Sequence, residues 1–247
     1  MEIRPRGSGT TYSTISAACF TIVLMSRPPF ITFEGTEGCG KSTQVQRLVA
    51  RFQAEEIPFV VTREPGGTPI GETIRELLQF SPQGVRMTAE TELLLFEASR
   101  SQLVREVIKP ALAGGLCVIS DRFFDSTTVY QGVARKLDPQ IIERLNLFAV
   151  GDCIPDLTFV LDVDARTVQA RMQEPRRPDR MEQEPIEFYE QVRQGYRDLA
   201  RRQPDRVLLI DGAQTSDKIA NHIWNIVSSR FPAMGIQSAI RNPQSAI

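Results

Sequence analysis

The run Gly35-Thr36-Glu37-Gly38-Cys39-Gly40-Lys41-Ser42-Thr43 carries the strongest chemical signal in this chain. Its G-x4-G-K-S spacing lets consecutive backbone N–H groups close around a diphosphate, because glycine leaves the approach unblocked. Lys41 is placed to reach β- and γ-phosphates, and the Ser42 hydroxyl is a ligand type for Mg²⁺. A helix opening at this point adds its positive end. Glycine and serine clusters are also ordinary turn material. Here the apolar run Phe30 to Phe33 precedes the loop and a helical pattern follows it, which is the context the motif requires. The implied ligand is a nucleoside triphosphate with Mg²⁺. Cys39 has two readings, a small loop residue or a thiol made reactive by the helix N-terminus.

Other chemistry-bearing residues fall just after apolar runs. Arg63-Glu64-Pro65-Gly66-Gly67-Thr68 reads as a tight loop ahead of a helix near Pro69, with Arg63 and Glu64 either functional or merely paired at the surface. Asp121-Arg122 sets a carboxylate suited to holding Mg²⁺ beside a guanidinium able to clamp a phosphate with two hydrogen bonds. Asp162 and Asp164 flank another run, where Asp164 reads more simply as a helix N-cap, and Asp211-Gly212 as a strand-exit turn.

The elements that must position these groups follow from periodicity. Phe30–Glu34, Phe59–Thr62, Cys117–Ser120, Leu157–Val163 and Val207–Asp211 are short and rich in Val, Ile, Leu and Phe, as strands buried on both faces are. Between them, Ser42–Glu55 carries Val45, Leu48, Val49 and Phe52 at helical spacing, and Glu90–Ala113 is similar. Strands alternating with helices predict an α/β fold, a parallel β-sheet covered by helices on both faces. Ligands of such sheets collect beyond the carboxyl ends of the strands, where the residues above lie.

Composition narrows the classes. With 247 residues and 41% hydrophobic content the chain fits one compact core, and a net charge of −1 provides no general basic face for a nucleic acid polymer. Cys19, Cys39, Cys117 and Cys153 show no C-x-x-C pairing and His222 is the sole histidine, which argues against a metal cage or disulfide scaffold and for reduced, cytoplasmic thiols. Arg4 and Arg6 precede the apolar stretch Ala17 to Met25, but that stretch is interrupted by Thr21, lacks a small-x-small cleavage site and is too short to span a membrane. Met25 stands just ahead of the first strand. Residues 1–24 are therefore expected to be a leader outside the fold, and residues 233–247 a disordered tail.

Phe33-Glu34-Gly35 with the phosphate loop, Arg63-Glu-Pro-Gly-Gly-Thr, Asp121-Arg122 and Tyr130-Gln131-Gly132, in this order, resemble the bacterial thymidylate kinases. The resemblance covers roughly residues 29–229. It implies a P-loop nucleoside monophosphate kinase-like fold over residues 25–232 with a lid near 173–184, ATP and Mg²⁺ as donor and metal, dTMP as acceptor, dTDP as product, and a homodimer.

The same resemblance implies roles residue by residue. Phe96 stacks on thymine and Arg100 donates to a base carbonyl; read by itself, Phe96 among Leu93, Leu94 and Leu95 is plain helix core. Arg122 grips the dTMP phosphate with Arg63 as a second ligand and Ser126 beside them, while Asp121 organises Mg²⁺ with Ser42. Tyr130 sits against the deoxyribose, where a 2′-OH collides, and Gln131 lies near the acceptor; Thr127 is a base contact or a helix-start hydroxyl. Val129 stands where many relatives carry Ala. Glu37 faces the acceptor sugar, or else solvent. Gly38 replaces a catalytic arginine of one branch, so Arg176 and Arg177 in Glu174–Glu182 are expected to make lid-borne transition-state contacts and Arg180 to anchor the lid or contact phosphate, against the alternative of a solvated loop. A kinase for another monophosphate such as dUMP or dGMP shares the phosphate machinery. A switch that hydrolyses ATP or GTP has no need of the second pocket, and the chain lacks an Asn-Lys-x-Asp guanine-reading motif.

Overall fold

The structure, a computed structural model, describes residues 27–81, 86–164, 166–168, 180, 181 and 184–232. Five parallel strands form one sheet in the order β2-β3-β1-β4-β5: β1 Phe30–Glu34, β2 Phe59–Arg63, β3 Cys117–Asp121, β4 Leu157–Asp162 and β5 Val207–Asp211. Helices α1 Lys41–Ala54, α2 Pro69–Gln79, α3 Ala89–Leu103, α4 Lys109–Ala113, α5 Phe124–Thr127, α6 Pro139–Val150, α7 Ile186–Arg202 and α8 Ser216–Arg230 connect them. The strand runs read from periodicity are these strands, to within one residue at each end.

Alternation along the strands divides the core. Ile31, Phe33, Ile119, Phe159 and Leu161 face α1 and α8, where they meet Leu48, Phe52, Ile223 and Val227. Phe30 and Val118 point the other way, onto Leu103, Val104, Ile108 and Phe123, while Val160 meets Val192, Tyr196 and Leu199 of α7. All of β1 is buried, as a central strand covered on both faces must be.

Helix starts obey local chemistry. The Thr68 hydroxyl accepts from Gly71 N at 3.0 Å with Pro69 in the first helical position, and Asp138 accepts from Gln140 N at 2.7 Å ahead of Pro139. The single helix expected over Glu90–Ala113 is instead α3, a π-helical turn at Val104–Ile108, and α4. Pro110 has no N–H for Glu106, and the wider turn ahead of it absorbs the lost bond.

Register aligns the functional ends. Phe33 and Arg63 both pair with Asp121, and Asp162 pairs with Asp211, so the residues that end the strands share one edge of the sheet. β1 lies between β3 and β4, the chain running from β1 outward to β2 on one side and later crossing from β3 to β4 on the other, and this switch of direction opens a crevice at that edge.

Candidate active site

The loop from Gly35 to Gly40 bends over the end of β1 with φ of 132°, 72° and 99° at Gly35, Gly38 and Gly40. A Cβ at Gly35 would stand 2.7 Å from Leu161 O and 2.8 Å from Cys39 Sγ, so close approach as well as backbone angle demands glycine there. Gly40 is the residue before α1 and no side chain caps that helix, which leaves its first N–H groups to an external anion. Thr36 is buried, and Gly38, Ser42 and Thr43 are exposed. Lys41 Nζ donates to Gly35 O at 3.1 Å and Thr36 O at 2.7 Å, which holds the ammonium across the loop. Cys39 is 2% exposed beneath these groups, so the geometry favours the small-residue reading over a reactive thiol.

Ser42 Oγ donates to Asp121 Oδ2 at 2.7 Å. The first turn of α1 and the end of β3 thus bring two hard oxygen donors together at the loop's mouth, a donor set that fits Mg²⁺ with its waters.

Arg122 follows directly, with φ of 71°, a left-handed conformation that a side chain adopts at a cost. Its guanidinium donates to Gly35 O at 3.0 Å, Ser126 Oγ at 3.1 Å, Glu37 Oε1 at 2.6 Å and Tyr130 OH at 3.3 Å. Tyr130 OH in turn donates to Glu37 Oε2 at 2.8 Å. Glu37 therefore points inward rather than to solvent. Burial pushes its carboxyl up, but Arg122 and then Lys41 outweigh that and hold it below the usual range.

Behind this layer stands Glu34, fully buried, which sequence reasoning treated only as part of a motif. It accepts from Phe123 N at 2.8 Å, Ser126 N at 3.2 Å, Ser126 Oγ at 2.6 Å and Tyr196 OH at 2.7 Å. Those bonds fix the turn that presents Arg122 and Ser126. Burial keeps the Glu34 carboxyl above its ordinary value against the pull of Arg122. The available signal was an acid closing an otherwise apolar strand run.

Arg100 is 1% exposed and its guanidinium is largely engaged. It donates to Glu64 from Nε at 2.9 Å and Nη2 at 2.6 Å, to Glu97 at 2.6 Å, and to Thr127 Oγ1 at 3.0 Å. Arg63 and Glu64 do not pair with each other: Glu64 goes inward to Arg100, and the exposed Arg63 bonds the half-buried Glu72 at 2.8 Å. Thr127 ends α5 and accepts from Arg100, so it is not a helix-start cap. Phe96 is half-buried and belongs to none of the three hydrophobic clusters, which sets aside the plain-core reading.

Gln131 Nε2 donates to Glu92 Oε1 at 2.6 Å, and Arg180 Nη2 reaches Glu92 Oε2 at 2.5 Å. Arg180 also donates from Nε to Leu78 O at 3.0 Å, so the structure gives it an anchoring contact on α2 and α3. Arg176 and Arg177 lie outside the described residues, as do residues 1–24 and 233–247. Asp164 is the N-cap its sequence suggested, accepting from Thr167 N at 2.9 Å, and Asp211 accepts from Ala213 N at 3.0 Å in a strand-exit turn. Asp162 is instead bound by Arg193 at 2.6 Å and Arg197 at 2.7 Å from α7.

A family model described as Thymidylate kinase matches residues 33–223. A thymidylate kinase of Kosmotoga olearia is 45% identical over 194 residues, covering 78% of this chain and 92% of its own length. One from Deinococcus radiodurans is 43% identical over 206 residues, covering 83% and 99%. Among solved structures, thymidylate kinase from Ehrlichia chaffeensis superposes with a TM-score of 0.65 at 36% identity, over 81% of this chain and 98% of that one.

Proposed function

The chain belongs to the thymidylate kinase family, and from that premise we propose that it transfers the γ-phosphoryl group of ATP directly and in line to a phosphate oxygen of dTMP. The enzyme is a nucleoside monophosphate kinase of P-loop fold, and its product is dTDP, a precursor for dTTP. One observation carries the mechanistic reading. Arg122 Nη1 lies 3.0 Å from the carbonyl oxygen of Gly35, so the guanidinium for the acceptor phosphate stands on the first residue of the loop for the donor. Two phosphates held by these groups meet without a phosphoenzyme between them.

The acceptor is already anionic, so no strong general base is required. The protein's work is alignment and the neutralisation of repulsion between two anions. Lys41 and the loop N–H groups hold the β- and γ-phosphates. Arg122 holds the acceptor phosphate, with Arg63 and Ser126 at its rim. Ser42 and Asp121 would hold Mg²⁺, which when bound neutralises charge on the transferring phosphates. Arg176 and Arg177 are proposed to add positive charge from the lid, with Arg180 as its anchor through Glu92 and Leu78 O, and closure of the lid excludes water. Glu37 and Tyr130, bonded to each other at 2.8 Å, form the wall against the deoxyribose. Phe96, Arg100, Thr127 and Gln131 surround the base.

The proposal extends to assembly and place. Leu94 on α3 and Leu147 and Phe148 on α6 are 56%, 51% and 76% exposed, an apolar surface that suits a homodimer. Among the described residues Cys39, Cys117 and Cys153 form no disulfide, which suits a reducing compartment such as the cytoplasm, and no helix is long and apolar enough to cross a membrane.

The experiment is ADP formation from Mg-ATP with each nucleoside monophosphate in turn, with the diphosphate identified directly. Strong dTMP-dependent conversion to dTDP is expected. Preference for another monophosphate would reassign the base pocket, and ADP release without a diphosphate product would indicate a hydrolytic switch.

A further inference from the structure

Glu92, Phe96 and Arg100 are spaced by four residues along α3 and so lie on one stripe, roughly 12 Å from first to last at 1.5 Å per residue. Thr127 and Gln131 have the same spacing on the segment opposite. The two stripes are joined at both ends. Arg100 donates to Thr127 Oγ1 at 3.0 Å, and Gln131 donates to Glu92 Oε1 at 2.6 Å. Phe96 lies between these rungs, half-buried and outside every hydrophobic cluster. The rungs and the ring frame a space for a flat, polar-edged group.

Glu92 is 1% exposed and serves more than Gln131. Its Oε2 accepts from Arg180 at 2.5 Å and from Arg135 Nη2 at 3.3 Å, while its Oε1 also accepts from Arg135 Nε at 3.4 Å. Arg135 continues to Glu184 at 2.5 Å. Burial pushes the Glu92 carboxyl up, but Arg180, Gln131 and Arg135 together hold it below its usual range. An ionised carboxylate only accepts hydrogen bonds, so the Gln131 amide has one orientation open to it. Its nitrogen must face Glu92, and its carbonyl oxygen turns away as the group it can offer elsewhere.

We propose that Glu92 is a positioning residue for base choice: it pins the Gln131 amide so that the base pocket offers an acceptor, which suits the ring N–H of thymine and rejects a pyrimidine bearing a lone pair at N3. The inference rests on dTMP being the acceptor. Glu92 touches no substrate in this account and acts only through the side chain it orients. A glutamine at position 92 can donate as well as accept, so the Gln131 amide is released to flip and offer its nitrogen.

The test compares kcat/KM for dTMP and dCMP with Mg-ATP in the wild type, E92Q and E92Q/Q131E, with circular dichroism and melting recorded for each. E92Q is expected to lower the dTMP-to-dCMP ratio at least about tenfold, the discrimination one hydrogen bond supplies. In E92Q/Q131E the carboxylate at 131 cannot flip into a donor, so the ratio returns to within about threefold of wild type. A merely structural role for Glu92 predicts no such rescue. A folded E92Q with the wild-type ratio overturns the inference, and so does a folded double variant as unselective as E92Q. Should E92Q fail to fold, the swap keeps a carboxylate in the same cluster and decides alone: a wild-type-like ratio supports the inference and a lost ratio overturns it. A wild type that phosphorylates no dTMP overturns the function reading, and this inference with it.

Discussion

Ser42 Oγ and Asp121 Oδ2 lie 2.7 Å apart, joined by a hydrogen bond that links the first turn of α1 to the last residue of β3. Neither strand pairing nor core packing needs this bond, since Ser42 is exposed. Asp121→Asn keeps the shape and removes the charge. The Mg²⁺ concentration for half-maximal rate should rise about 10–100-fold, the usual cost of disturbing a metal's surroundings, with the melting temperature little changed. A Mg²⁺ titration of the rate checks this, and an unchanged midpoint would remove Asp121 from the metal site.

Lys41 Nζ rests on the carbonyls of Gly35 and Thr36, at 3.1 and 2.7 Å, and on Cys39 Sγ at 3.7 Å, all groups of its own loop. Lys41→Ala should therefore fold and yet lose turnover by on the order of 10²–10³, as loss of one well-placed charge donor does. Steady-state kinetics beside a melting curve tests both halves. Near-normal turnover in a folded variant would contradict the assignment.

Asp125 is fully buried and receives two bonds from Arg206, at 2.7 and 2.8 Å. Arg206→Met strands that carboxylate without a counter-charge, which costs about 3–5 kcal/mol and lowers the melting temperature by on the order of 10 °C. Replacing both residues, as in D125N/R206M, should recover most of the loss. Calorimetry on the three proteins separates a stranded charge from a net contribution of the pair.

Asp162 has its carboxyl held below the usual range: burial pushes it up, and hydrogen bonds from Arg193 and Arg197 more than reverse that. A depressed carboxyl pKa contributes stability above the unfolded value near 4 and loses it as pH falls through the folded value. D162N should thus melt below wild type at pH 7, and the gap should begin to close as pH falls below about 5 and go on closing through the lowered folded value. Melting curves from pH 7 downward decide it; a gap that widens on acidification would overturn the assignment.

The fold was legible because its determinants are local. Five apolar runs became the five strands, and the glycine and lysine spacing placed the loop where β1 meets α1. Asp164 and Asp211 were readable for the same reason, since each bonds a backbone N–H two or three residues on. What escaped was long-range pairing. Arg63 and Glu64 are adjacent in sequence, yet they face solvent and core respectively, because the alternation of β2 carries on into Glu64, whose N–H still bonds Asp121 O at 2.9 Å. Glu34 with Tyr196, Asp125 with Arg206 and Glu92 with Arg180 are 162, 81 and 88 residues apart, and no spacing rule reaches that far. The Pro110 break left a trace in the sequence, but the π-helical turn that answers it did not.

The left-handed backbone at Arg122 sets local strain against the carboxylate charge that its side chain balances. Glycine would adopt a φ of 71° freely, whereas arginine holds it at an expense of roughly 1–3 kcal/mol. Removing the guanidinium would also strand the Glu37 carboxylate that it bonds at 2.6 Å, a loss of about 3–5 kcal/mol that exceeds the strain returned, so libraries randomised at this codon should keep arginine even when selected only for heat resistance. Enrichment of glycine in that selection would show the backbone expense to outweigh the charge the side chain balances.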